Sequence, residues 1–212
     1  MKALFITGIG TGVGKTIWSA IVTEALHADY WKPVQAGFED GTDSLMVSSL
    51  ISNADTRIHP ELYKLKLPAS PHLSAREENL QIDLEKIRLG YENLDSANNI
   101  CVIEGAGGLM VPLNDREFVI DLVKALGATV LLVSRNYLGS INHSLLTARV
   151  LEQHKIPVAG WLFNDRFMDY ENELVGWTGI PNLGSIPYTD HVSKEFVKEQ
   201  ALTLEPVLRK IL

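Results

Sequence analysis

Gly8-Ile9-Gly10-Thr11-Gly12-Val13-Gly14-Lys15-Thr16 decides how this chain is read. An apolar, strand-like run from Ala3 to Ile6 leads into it, and a helix-like run follows directly. Strand, glycine-rich turn and Gly-Lys-Thr helix start together make a phosphate-binding loop. Glycine has no Cβ, so backbone N–H groups can converge on phosphate oxygens. The helix that begins there adds unpaired donors and the positive end of its dipole. On this reading Gly12, Val13 and Gly14 cradle phosphate, Lys15 reaches the β- and γ-phosphates of a nucleoside triphosphate, and Thr16 ligates Mg²⁺. The spacing departs from G-x-x-x-x-G-K-[ST]: position 9 is isoleucine, so the first glycine stands one residue early or late. A glycine-rich turn without nucleotide is the alternative, and the coincidence of strand, glycines, Lys, Thr and helix argues against it.

Outward from the loop, apolar runs alternate with helix-like segments. Strands are predicted at Ala3–Thr7, Tyr30–Val34, Asn99–Glu104, Thr129–Val133, Val158–Asn164 and Asn182–Ile186. Helices are predicted at Lys15–Ala28, Ser44–Ser52, Leu84–Leu94, Val119–Leu126, Ile141–His154, Tyr170–Trp177 and Leu204–Leu212. The unbroken apolar run Thr129-Val-Leu-Leu-Val133 suits a strand covered on both faces. The pattern predicts an α/β fold of the P-loop NTPase type, with a mostly parallel central sheet and helices on both faces. Asp55 to Asn79 is the least regular stretch and is expected to be a long loop. Residues 1–212 are expected to form one domain.

The composition narrows the function classes. The chain has 212 residues, 46% of them hydrophobic, which is enough for a substantial core. A net charge of −7 argues against nucleic acid as a partner. No apolar run is long enough to cross a bilayer and the N-terminus does not read as a signal peptide, so no membrane partner and a cytoplasmic location are expected. The single cysteine, Cys101, lies in an apolar run and reads as a buried strand residue rather than a nucleophile.

In parallel sheets ligands sit beyond the carboxyl ends of the strands, so the residues there are the candidates. Lys32, in Lys32-Pro33-Val34-Gln35-Ala36-Gly37, would put a cation at the same mouth as the phosphate loop. Asp43 reads either as a helix-start carboxylate favouring the dipole or as a Mg²⁺ ligand. Glu104, in Glu104-Gly105-Ala106-Gly107-Gly108, is a carboxylate at a buried strand end, the usual place for the second metal-side group, with a structural ion pair as the alternative. Burying it unpaired would be costly, so a cation partner is expected. Glycines such as Gly107 let the backbone approach a ligand. Ser70-Pro71-His72 offers a histidine that is either structural or functional. Gly139-Ser140-Ile141-Asn142-His143 opens a helix, either with Ser140 as an ordinary N-cap or with its amides holding a carboxylate. Asn164 ends another strand, where its amide could read a base edge.

Taken in order, these pieces resemble the dethiobiotin synthetase family over nearly the whole chain. The most specific are Lys32-Pro-Val, Glu104-Gly-Ala-Gly-Gly108 and Ile141-Asn-His143, with Gly160-Trp161 and Gly184-Ser-Ile-Pro187 in support. The resemblance implies a homodimeric ATP-dependent ligase that converts 7,8-diaminopelargonate and CO₂ into dethiobiotin. It assigns Thr16, Asp43 and Glu104 to Mg²⁺, Lys15 to phosphate, and Lys32 to the carbamate and γ-phosphate. Asn164 is assigned to adenine. Gly139, Ser140 and Asn142 are assigned to the substrate carboxylate across a dimer interface. Four positions depart from the family pattern. Gly10 and Gly12 stand where acids are frequent, Ala36 stands at a substrate-side position where a hydroxyl is common, and Tyr137 stands where a lysine sometimes precedes Leu-Gly. The rival reading is a non-enzymatic nucleotide switch or partitioning ATPase of the same fold. Those proteins carry an extra lysine five residues before the loop lysine, and here that place is Gly10.

Overall fold

The computed structural model describes residues 1–96, 98–165 and 167–211. Its centre is a seven-stranded sheet whose described pairings are all parallel. In chain order the strands are β1 (Lys2–Gly8), β2 (Asp29–Trp31), β3 (Val34–Ala36), β4 (Ile58–His59), β5 (Tyr63–Leu65), β6 (Ile100–Gly108), β7 (Thr129–Arg135), β8 (Val158–Asn164) and β9 (Asn182–Ile186). The large sheet runs β4-β2-β6-β1-β7-β8-β9, and β3 pairs with β5 in a separate two-stranded sheet. Leu4, Phe5 and Ile6 of β1 and Val130 to Val133 of β7 are wholly buried on alternating faces. Both faces of the sheet are therefore covered, as a continuously apolar parallel strand requires.

Helices supply the cover: α1 (Lys15–Leu26), α2 (Asp43–Leu50), α3 (Pro71–Glu77), α4 (Leu84–Glu92), α5 (Val119–Ala125), α6 (Ser140–Gln153), α7 (Glu171–Thr178) and α8 (Lys194–Ile211). α1, α2 and α8 pack together, while α4 meets α5 and α6 meets α7. α1 is buried along most of its length, with Trp18, Ile21, Val22 and Ala25 in the core. No helix among the described residues is long and apolar enough to cross a membrane.

Several sequence expectations need revision. The predicted strand Tyr30–Val34 is two short strands, because Pro33 has no N–H to give to a ladder. Its carbonyl instead accepts from the Leu62 and Tyr63 amides, which starts the β3–β5 pair. The stretch expected to be one long loop, Asp55 to Asn79, contains β4, β5 and α3. The terminal helix begins ten residues earlier than Leu204, since its polar first turns hide an apolar stripe of Val197, Ala201, Leu204 and Leu208. The last residue of that predicted helix, Leu212, lies outside the described residues.

The topology places the site. β1 lies between β6 and β7, and Gly8 is in register with both Gly108 and Val133. The phosphate loop therefore emerges between the carboxyl ends of two neighbouring strands. The strand predicted to end at Glu104 stays extended to Gly108, with a register shift against β1. A Cβ on Gly105 would come within 2.8 Å of the Phe5 ring, so the glycines here allow β6 to run tightly against β1.

Candidate functional site

The loop closes onto α1 through Gly14, whose φ of 90° lies in the left-handed region. A side chain there would also collide with Asn164, since an added Cβ would lie 2.0 Å from Nδ2. Beyond the loop opens a cleft of about 720 Å³. Lys15, Thr16, Lys32, Asp43, Glu104 and Gly107 all line it, together with Gly12, Gly14 and Ala36. Residues drawn from the phosphate loop, α1, β3, β6 and α2, with Lys32 from just after β2, thus meet at one mouth.

Four charges dominate that mouth. Glu104 is almost wholly buried, and its expected cation is Lys32, whose Nζ donates to Oε1 at 3.1 Å. The same ammonium forms an ion pair with Asp43. Thr16 Oγ1 lies 3.1 Å from Asp43 Oδ1 and 2.9 Å from Glu104 Oε1. A hydroxyl has one hydrogen and can satisfy only one of these acceptors at a time. The trio is therefore a convergence of three hard oxygens. Asp43 opens α2 behind the N-cap Thr42, as its helix-start reading expects, and it also faces Thr16.

These contacts set the protonation states. Burial pushes the Lys15 ammonium down to about 8; Glu104 opposes that push and Lys32 adds to it. Lys15 Nζ donates to the Gly10 carbonyl at 2.9 Å. Burial also acts to lower Lys32, but the Glu104 and Asp43 carboxylates outweigh it and its pKa stands above the ordinary lysine value. For Asp43, burial acts upward and Lys32 overcomes it, leaving the carboxyl below its usual range. Lys32 is thus held charged, while Lys15 is balanced between charged and neutral only near pH 8.

The AAA domain family model matches residues 2–195. Over 205 residues the chain is 47% identical to the ATP-dependent dethiobiotin synthetase BioD of Cytophaga hutchinsonii, covering 96% of this chain and 97% of that protein. Over 193 residues it is 42% identical to the synthetase of the same name from Brucella ovis, covering 91% and 89%. The chain belongs to the ATP-dependent dethiobiotin synthetase family. Among solved structures, the cell division ATPase MinD of Pyrococcus furiosus superposes with a TM-score of 0.59 at 14% identity, covering the whole of both chains. The putative plasmid partition protein of Borrelia burgdorferi, bound to AMPPNP, superposes at 0.60 and 14% identity, covering 100% of this chain and 99% of that one. Those two share the fold.

Asn164 stands apart from the charged cleft, on the other side of the loop. Its Nδ2 donates to the Val13 carbonyl. It lines a cavity of about 160 Å³ with Gly12, Val13, Pro187 and Phe196. Gly139, Ser140 and Asn142 do not line the 720 Å³ cleft of their own chain. Gly139 and Asn142 are exposed, and Ser140 is wholly buried. The N-cap of α6 is Gly139, with φ 99°, rather than Ser140. The Ser140 hydroxyl is engaged by the Tyr170 hydroxyl and by the Tyr137 amide. Ser70 and Pro71 line the cleft, but His72 faces a separate cavity beside Arg76 and Asn114. Cys101 is buried in β6, where burial pushes its thiol well up.

Two side chains that touch the site carry no motif. Tyr30 donates to Glu104 Oε2 at 3.0 Å. Gln35 accepts from the Asp43 amide at 3.2 Å and donates to the Gly37 carbonyl at 2.8 Å, tying β3 to the start of α2. The only available signal for Tyr30 is its place two residues before Lys32 in an extended run, which puts both on one face.

Proposed function

We propose that this chain builds the ureido ring of dethiobiotin from 7,8-diaminopelargonate and CO₂, with conversion of ATP to ADP and phosphate. The observation that carries the reading is the convergence of Lys15 and Lys32 with Thr16, Asp43 and Glu104 in one cleft beside the phosphate loop. The reaction has to bring two anions together. A neutral substrate amine adds to CO₂ through its lone pair and loses a proton, giving a carbamate. A carbamate oxygen then attacks the γ-phosphorus as the bond to ADP breaks. The second amine attacks the carbonyl carbon of this mixed anhydride, and phosphate leaves with the C–O electrons.

Like charges a few ångströms apart repel strongly in a poorly solvated cleft. The loop amides and Lys15 hold the β- and γ-phosphates, and Lys32 faces the carbamate and the γ-phosphate. This is electrostatic preorganisation, with no nucleophilic side chain required. Two carboxylates and one hydroxyl converging beside a phosphate loop suit Mg²⁺, which takes one or two carboxylates and completes its shell with phosphate and water. Thr16, Asp43 and Glu104 would hold it. When bound, it neutralises phosphate charge and polarises the phosphoryl group. The 160 Å³ cavity walled by Pro187 and Phe196 takes the adenine, with Asn164 at its edge.

The substrate carboxylate falls to the α6 start of a second copy in a homodimer. Support comes from the exposure of Gly139 and Asn142 away from their own cleft. Because the Ser140 hydroxyl is already engaged, the first-turn amides of α6 are the donors. ATP hydrolysis measured with Mg²⁺, with and without diaminopelargonate and bicarbonate, tests the function. Strict dependence on both supports the ligase. Hydrolysis indifferent to the diamine would instead favour a nucleotide switch.

A further inference from the structure

Glu104 meets the phosphate-loop threonine and Lys32 through one oxygen, Oε1, at 2.9 Å and 3.1 Å. Its other oxygen, Oε2, accepts from Tyr30 Oη at 3.0 Å. Tyr30 is wholly buried on β2. It is in register with Val102, two residues before Glu104 on the adjacent strand, so both side chains project from the same face. Rotation about the last bond of a glutamate is soft. Packing alone therefore does not fix the plane of the carboxylate. A hydrogen bond that anchors the oxygen remote from the loop does.

We infer that Tyr30 is a positioning residue: by holding one oxygen of Glu104, its hydroxyl fixes the carboxylate plane so that the other oxygen faces Thr16 and Lys32. The inference rests on the reading that Glu104 serves the Mg²⁺ position. Tyr30 does not line the cleft itself. Without its hydroxyl, Oε2 is a buried acceptor with no donor, and buried carboxylates do not stay unsatisfied. Glu104 then turns to share Lys32 through both oxygens and withdraws from Thr16. Groups that orient a metal-binding side chain typically change metal affinity or activity by 10–100-fold when removed.

The test is Tyr30→Phe in the full-length chain, which keeps the ring and deletes the hydroxyl, run beside Glu104→Gln. Mn²⁺ is titrated by electron paramagnetic resonance in the presence of a non-hydrolysable ATP analogue. ADP affinity is measured without metal, and dethiobiotin formation is followed against Mg²⁺ concentration. In Tyr30→Phe the half-saturating Mn²⁺ and Mg²⁺ concentrations should rise about tenfold, while metal-free ADP affinity stays at the wild-type value. A lowered melting temperature with unchanged metal dependence, in a background where Glu104→Gln does weaken Mn²⁺ binding, would make Tyr30 a core residue only and overturn the inference. If Glu104→Gln also leaves Mn²⁺ binding unchanged, the metal assignment of Glu104 falls, and the inference falls with it.

Discussion

Nucleotide binding should take up a proton at Lys15. In the free protein burial holds this ammonium at about 8, against an ordinary value of 10.5. At pH 8 about half of the molecules therefore carry a neutral Lys15. A polyphosphate seated on the loop places negative charge beside Nζ and favours the charged form. ADP binding at pH 8 should then absorb roughly half a proton per site, falling to about a tenth at pH 7. The assay is calorimetric titration of ADP in buffers of differing ionisation enthalpy, where the slope of the observed heat gives the proton count. Lys15→Met provides the control, and Lys32, held charged by two carboxylates, should contribute nothing. Zero uptake at pH 8, or the same uptake in Lys15→Met, would refute the reasoning. The free protein offers a matching check with a definite sign. Between pH 8 and 10.5 the unfolded chain binds more protons at this residue than the native one, so native stability should rise with pH across that window. The rise is about 3 kcal/mol at most, and the cost is fully present below pH 8.

Lys32→Ala should lower turnover about a hundredfold or more, because one preorganised donor is worth ~2.7–4 kcal/mol in a transition state; steady-state ADP release with both substrates present measures it, and turnover near wild type would remove Lys32 from the mechanism. Gly14→Ala should fold and yet bind ADP about tenfold or more weakly, since a left-handed backbone costs roughly 1–2 kcal/mol for a residue with a Cβ and that carbon would press on Asn164; fluorescence titration decides it. Glu24→Ala should destabilise the fold by roughly 1–3 kcal/mol without touching the cleft. Glu24 accepts from the Ser52 and Asn53 amides at 2.8 and 3.2 Å at the end of α2, and chemical denaturation that finds no loss would show those amides rehydrate freely.

What the chain discloses in one dimension is chemistry that neighbours in sequence share. The phosphate loop is legible because its glycines, Lys15 and Thr16 act within a few residues of one another. Glu104 is legible because a carboxylate ending an apolar run has to find a cation. Tyr30 is not: it lies in the chain 74 residues from the carboxylate it bonds, and in an apolar run a buried phenol looks like any core aromatic. Gln35 is hidden differently, since its partner Asp43 is only eight residues away but across a strand–loop–helix turn that no periodicity announces. Ser140 misleads for the same reason. Its hydroxyl suits an N-cap by type, yet the left-handed conformation of Gly139 takes the cap and the hydroxyl turns inward to Tyr170. Pro33 shows the reverse case, where one residue's missing N–H splits a predicted strand and turns the chain toward β3. That break also frees Lys32 from the sheet's ladder at the point where two carboxylates, one from β6 and one from α2, require a shared cation. The position of Lys32 is therefore set by topology: a proline that ends one strand delivers the lysine that balances two carboxylates from two other elements.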